Sequence, residues 1–103
     1  MKPYVSFCGR FIMLKNVPVT LYRKIRTLGF RYKLLYGFVY EHISEEDKIR
    51  VFSKLNDLGF LFSVGKEWSP AEQVEYYKEK GLLQGVFKII YWTNKTEYHI
   101  KEV

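Results

Sequence analysis

Two segments after residue 43 carry complete start and stop signals for α-helices. The first begins at Ser44, a favourable N-cap, continues with three acidic residues that complement the helix dipole, and ends at Gly59. The second begins with Ser69 and Pro70, has a glutamate in the capping-box position, and ends at Gly81. Apolar residues recur at helical spacing between these signals, so both segments are predicted to be amphipathic helices that need a sheet or other helices to cover one side.

A shorter helix and five strands are predicted around these two helices. Leu21 and Ile25 lie at helical spacing after Pro18, and Gly29 suits the position just beyond a helix end. Alternating or short apolar runs predict strands over residues 3–14, 30–42, 60–64, 85–92 and 97–101. Gly9 is predicted as a bulge or bend within the first of them.

The resulting order of elements, β-α-β-α-β-α-β-β, indicates an α+β fold. With 103 residues the chain has room for one hydrophobic core, so residues 1–103 are predicted to form a single domain. We expect a small sandwich, ferredoxin-like or related, with a mostly antiparallel sheet, two to three helices on one face and a C-terminal β-hairpin. The uncovered face of such a sheet would be available as a binding platform.

Positive charge is concentrated at the start of the chain. Residues 1–40 hold eight Lys and Arg and no Asp or Glu, whereas the rest of the chain holds nine bases against eleven acids. Such a distribution produces a field that attracts polyanions, of which nucleic acid is the commonest. Membrane headgroups or an acidic protein would respond to the same field, although no apolar run approaches the roughly 20 residues of a membrane span.

The candidate nucleic-acid-binding residues lie in the first helix and in the strand after it. Arg23, Lys24, Arg26, Arg31 and Lys33 are candidates for phosphate contacts, and Tyr36 and Phe38 are candidates for stacking on bases. Alternation along residues 30–42 would place the rings of Tyr32, Tyr36, Phe38 and Tyr40 on one face. The alternative left open is that this aromatic face packs under the helices as core.

Residues 36–39, with the sequence YGFV, resemble the core of the octapeptide on the third strand of the RNA recognition motif. The serine and acids at residues 44–47 occupy the place where that family begins its next helix, so the resemblance extends over residues 36–55. The resemblance implies that Tyr36 and Phe38 stack on bases and that Tyr4, near the start of the chain, provides a third ring.

The overall composition, rich in Lys, Tyr, Phe and Ile with two Gln and three Asn, resembles that of small proteins from viruses of thermophilic archaea or from phages. This leaves a second hypothesis, in which a viral or phage accessory protein binds an acidic host protein through the same basic surface. A single cysteine excludes an internal disulfide and suggests a reducing cytoplasm. The strand edges of a small sheet make a homodimer reasonable.

No catalytic or metal-binding pattern stands out. Cys8, His42 and His99 are far apart in the sequence, and a buried thiol with two surface imidazoles is the simpler interpretation. The acids at residues 45–47 are explained by helix capping, and no glycine-rich phosphate loop is present. We therefore expect a non-enzymatic protein with no cofactor and no metal.

Overall fold

The computed structural model describes residues 2–8, 10–65 and 68–103. In these residues a seven-stranded sheet packs against three α-helices. The strands are β1 (Tyr4–Cys8), β2 (Phe11–Lys15), β3 (Arg31–Lys33), β4 (Gly37–Glu41), β5 (Leu61–Ser63), β6 (Lys88–Trp92) and β7 (Tyr98–Glu102). The helices are α1 (Tyr22–Thr27), α2 (Glu45–Asp57) and α3 (Pro70–Glu79), with a 3-10 turn at Val19–Leu21 before α1.

The sheet is mixed and open. Its strand order is β3-β4-β2-β1-β5-β6-β7, so β3 and β7 are the two edge strands. Only the pairs β1–β5 and β5–β6 are parallel within the described part of the chain; the other four pairs are antiparallel. The α+β class, the predominance of antiparallel pairing and the C-terminal hairpin β6–β7 are therefore confirmed.

Two predicted strands are instead β-hairpins. Residues 3–14 form β1 and β2, which pair with each other, and the bulge predicted at Gly9 falls outside the described residues. Residues 30–42 form β3 and β4 around a turn in which the Tyr36 N–H donates to the Lys33 carbonyl at 3.0 Å. Gly37 follows this turn with a φ of +76°, a conformation that L-residues with a side chain rarely adopt.

The helix boundaries agree with the sequence signals. The Ser44 hydroxyl accepts the Asp47 N–H at 3.0 Å, and Ser69 forms a capping box with Glu72. At α1 the prediction is less accurate, because the turn after Pro18 is a 3-10 turn before the α-helix begins. Since capping depends on a few adjacent residues, it is the feature that local sequence specifies best.

The main core lies between the helices and one face of the sheet. The Phe52 ring on α2 lies 5.9 Å from the Phe7 ring on β1 and 5.1 Å from the Phe62 ring on β5, measured between centroids. Tyr77 on α3 and Ile25 on α1 are fully buried in the same cluster. All three helices therefore cover the same face, as predicted for an α+β sandwich.

The second sheet face, which the helices do not cover, also has an apolar centre. Met13, Val39, Leu61 and Ile90 are buried but do not belong to the helix-side core. Their strand neighbours point to the helices, so alternation places these four side chains on the opposite face. This second sheet face is the platform on which part of the candidate site is built.

Candidate nucleic-acid interface

The β3–β4 hairpin and α1 meet at one edge of the sheet. The Tyr22 ring of α1 packs edge-on against Phe38 of β4, with centroids 5.0 Å apart. The Tyr32 ring of β3 contacts the same phenylalanine at 5.4 Å. The three rings fix α1 over the hairpin, so the basic residues of both elements are held at the same end of the molecule.

Phe38 is unavailable for base stacking. Its side chain is 2% exposed, because Tyr22 and Tyr32 enclose it on the helix side of the sheet. Tyr36 is 50% exposed and lies in the turn, so it does not share a face with Phe38. The expectation of two stacking rings side by side is wrong, since the turn interrupts the alternation that suggested it.

Three of the candidate phosphate-binding residues project from α1. Arg23, Lys24 and Arg26 are exposed, and α1 has no acid in its first turn. Arg23 and Arg26 line an open groove on the surface of the helix together with Tyr22. The helix therefore presents guanidinium groups to solvent on its outer side.

The other two candidate cations lie across the edge strand. Arg31 and Lys33 are exposed residues of β3 and line a groove on the second sheet face with Val39 and Glu41. Tyr32 between them points to the helix side of the sheet, so the side chains of Arg31 and Lys33 project from the opposite face. The α1 cations and the β3 cations therefore lie on opposite sides of this sheet edge, and the candidate cations occupy two faces.

Few of these cations form ion pairs with carboxylates from the described part of residues 41–103. Within the described residues, Arg10 is the only one of the eight N-terminal cations with an ion pair, to Glu41 at 2.7 Å. The two other described pairs lie within α2. Glu41, the carboxylate beside Arg31 and Lys33, is thus already engaged by an arginine.

A small pocket opens beside the hairpin on the second sheet face. It has a volume of about 210 Å³ and is lined by Phe11, Met13, Lys33, Tyr36 and Val39. We call it the hairpin pocket. Its walls come from β2, β3, β4 and the turn. A single strand over residues 30–42, which the alternation predicts, does not contain the turn that forms the mouth of this pocket.

Tyr4, the third ring implied by the RNA recognition motif resemblance, lies elsewhere on the sheet. Its ring packs edge-on against Trp92, with centroids 6.3 Å apart, and β1 is two strands from β4. Tyr36 is therefore the one ring of the three implied by the resemblance that stands at the mouth of the hairpin pocket.

The acids at the start of α2 form a separate, internally bonded cluster. Asp47 accepts the Tyr40 hydroxyl at 2.6 Å and an Arg50 N–H at 2.8 Å. Glu45 accepts the Tyr77 hydroxyl at 2.6 Å and the Lys48 ammonium at 3.3 Å. Both carboxylates are occupied by structural hydrogen bonds, so the cluster fixes α2 to β4 and α3.

The same contacts shift the protonation of the cluster. The Tyr77 hydrogen bond lowers the pKa of Glu45 against the opposing effect of burial. Burial opposes ionisation of Asp47, but hydrogen bonds from Tyr40, Arg50 and the Ile43 N–H together lower the pKa of this carboxyl. These shifts favour the charged forms in the folded protein.

The pKa of His42, which lies beside this cluster, is also lowered. Burial lowers the pKa of His42, with a further contribution from the Lys48 charge that the neighbouring Glu41, Glu45 and Asp47 only partly offset. The neutral form is therefore favoured in the folded protein.

We expect stability to decrease as pH falls from about 7 to about 3. The unfolded chain binds protons at the ordinary pKa of each group, above the lowered folded values of His42, Glu45 and Asp47. Each group therefore stabilises the folded state fully above its unfolded pKa, and this contribution is lost as the pH falls to its folded pKa. The contribution of His42 is lost first, and those of Glu45 and Asp47 are lost at lower pH. Melting temperatures across this range test the prediction. An Asp47→Asn variant should give a flatter profile at the acidic end, and a profile as steep as that of the parent would contradict the assignment.

Among the described residues, the side chains that could ligate a metal are dispersed. No group of three or more His, Cys, Asp or Glu lies close enough to hold a metal within that part of the chain. His99 is exposed, with its ring stacked on Tyr91 at 5.1 Å, and the Cys8 side chain falls outside what the structure describes. Among the described helices, none is both long and apolar enough to cross a membrane.

Comparison with protein-family models, with curated proteins and with solved structures gives no match. The RNA recognition motif resemblance of residues 36–55 stays a prediction, as does the ferredoxin-like comparison. The geometry at the β3 edge is therefore the basis for a functional interpretation.

Proposed function

We propose that this protein is a non-enzymatic nucleic-acid-binding module whose contact surface is the sheet edge formed by β3 and α1. The observation that carries the proposal is the grouping of exposed cations around that edge. These edge cations are Arg23, Lys24, Arg26, Arg31 and Lys33. None of them has a carboxylate within 4.0 Å among the described residues.

Exposed, unpaired cations suit phosphate contacts for a physical reason. Each phosphate neutralised by Lys or Arg releases condensed counterions, and this release supplies much of the affinity of sequence-independent binding. Arginine adds a planar fork of donors that matches phosphate oxygens. Because the edge cations flank β3 on both sides, a flexible strand could follow them around the edge, with Tyr36 beside its path.

Salt dependence provides the direct test. Single-stranded DNA or RNA is titrated at about 50 mM and about 200 mM salt, with fluorescence polarisation as the readout. Five phosphate contacts predict a logarithmic slope near −3.5 for a single strand, so affinity should drop roughly 100-fold over this interval. Millimolar affinity at the lower salt, or an affinity that salt leaves unchanged, would contradict the proposal.

An acidic protein partner is the second candidate function, and the hairpin tip favours it. Leu34 and Leu35 are 87% and 84% exposed beside the edge cations. Contiguous exposed apolar surface is found at protein–protein interaction sites, and these two leucines are adjacent. A complex that survives nuclease treatment and is lost in a Leu34→Glu, Leu35→Glu variant would favour this candidate over nucleic acid.

Two further features belong to the proposal. A lone cysteine is compatible with a cytoplasmic location, in the host if the protein is viral or phage-derived. The β7 edge is exposed along its five residues, which gives a homodimer a strand on which to pair.

A further inference from the structure

We propose that the hairpin pocket receives one unpaired base, which makes single-stranded nucleic acid the preferred ligand. This inference rests on the proposed function, because it specifies the class of nucleic acid that the edge cations would hold. The lining, the size and the charge of the pocket support it.

The floor of the pocket is apolar and fixed. Met13 and Val39 are paired neighbours on β2 and β4, and both are more than nine-tenths buried. Phe11 lies on the same face of β2 and is half-buried. Because these side chains lie on regular strands and no helix covers them, an apolar surface is available without rearrangement.

The mouth of the pocket carries an aromatic ring and a cation at fixed spacing. Lys33 and Tyr36 are the first and last residues of one turn, in which the Tyr36 N–H donates to the Lys33 carbonyl at 3.0 Å. The half-exposed Tyr36 ring offers a stacking surface. The Lys33 ammonium is placed for the phosphate attached to the bound nucleotide, and Arg31 lines the neighbouring groove for the next one.

The size and polarity of the pocket favour a single base. At about 210 Å³ it is smaller than the roughly 300–1,000 Å³ of sites for drug-sized ligands, so one flat ring system is a suitable occupant. Apart from the Tyr36 hydroxyl and the Lys33 ammonium, the lining side chains offer no hydrogen-bonding groups, so base identity should have little influence. A base in a duplex must leave its stack before it can enter, which disfavours double strands.

Met13 provides a direct probe of occupancy. Of the two methionines in the chain, Met13 lines the pocket, so methyl-labelled methionine gives a signal inside the site that a Met13→Leu variant assigns. Addition of oligothymidylate at low salt should shift this methyl signal through the ring current of the bound base. An oligomer of the same length built from abasic units should bind the edge cations without shifting the methyl signal.

Affinity measurements on the full chain complete the test. Tyr36→Ala should weaken oligothymidylate binding at least about fivefold and leave abasic binding unchanged, and Tyr36→Phe should retain affinity. Tyr98→Ala, which removes a partly exposed tyrosine at the opposite sheet edge, should have no effect.

The possible failures are distinguishable. Oligothymidylate binding with an unmoved Met13 methyl signal, equal affinity for duplex DNA, or equal losses in the Tyr36 and Tyr98 variants would each overturn the inference while the proposed function survives. The absence of binding to any of these oligomers at low salt would overturn both.

Discussion

Replacing the five edge cations with alanine is expected to weaken nucleic-acid binding at least 100-fold at low salt and to remove most of its salt dependence. Each charge contributes about 0.7 to the logarithmic slope on single strands, so the loss of five contacts eliminates a slope near −3.5. The substitutions replace the side chains Arg23, Lys24, Arg26, Arg31 and Lys33. Since these side chains are exposed and form no described ion pair, the melting temperature should change little.

A matched variant distinguishes the effect of where the cations lie from the effect of the net charge of the protein. Five exposed lysines in the second half of the chain provide it, and their replacement by alanine gives the same net charge as the first variant. These residues are Lys54, Lys80, Lys88, Lys95 and Lys101. Binding in this control should stay within a few-fold of the parent. Equal weakening in both variants would show that net charge alone attracts the nucleic acid and that the β3 edge is not the site.

The candidate cations could be predicted from the sequence because their exposure follows from their chemistry. Lys and Arg are seldom buried without a partner, and residues 1–40 contain no acid to provide one. The start and end of α2 and α3 could be predicted for a related reason, since a cap depends on three or four adjacent residues. These features need no knowledge of how the chain folds back on itself.

The turn at residues 34–36 could not be predicted with the same rules. Its central residues are Leu34 and Leu35, whereas Gly, Pro, Asn and Asp are the residues that usually indicate a turn. The glycine that enables the hairpin, Gly37, follows the turn, and the alternation rule treats it as part of a continuous strand. Alternation without a turn predicts that Tyr36 and Phe38 share one face, whereas Tyr36 lies at the hairpin tip and Phe38 in the core.

The hairpin pocket depends on contacts between residues distant in the sequence. Met13 and Val39 become neighbours only when β2 pairs with β4, and Tyr36 reaches them only through the turn. Hydrophobic periodicity identifies these residues as apolar positions of strands but does not identify their partners. A binding site built from three sheet strands and a turn therefore cannot be recognised from the sequence alone.

A Phe52→Ala substitution is expected to lower the free energy of unfolding by about 3–5 kcal/mol. The Phe52 ring is fully buried and contacts the rings of Phe7, Phe62 and Tyr77, so it connects α2 with β1, β5 and α3. Its removal leaves a cavity that these three rings can only partly fill. Domains of this size have roughly 5–15 kcal/mol of stability, so the variant should lose a large fraction of the total.

Urea unfolding followed by circular dichroism measures this loss, with Leu34→Ala as the control. Leu34 is 87% exposed at the hairpin tip, so its truncation should change stability by less than about 0.5 kcal/mol. A loss near 1 kcal/mol in the Phe52 variant would mean that α2 is not held against the sheet as the structure shows.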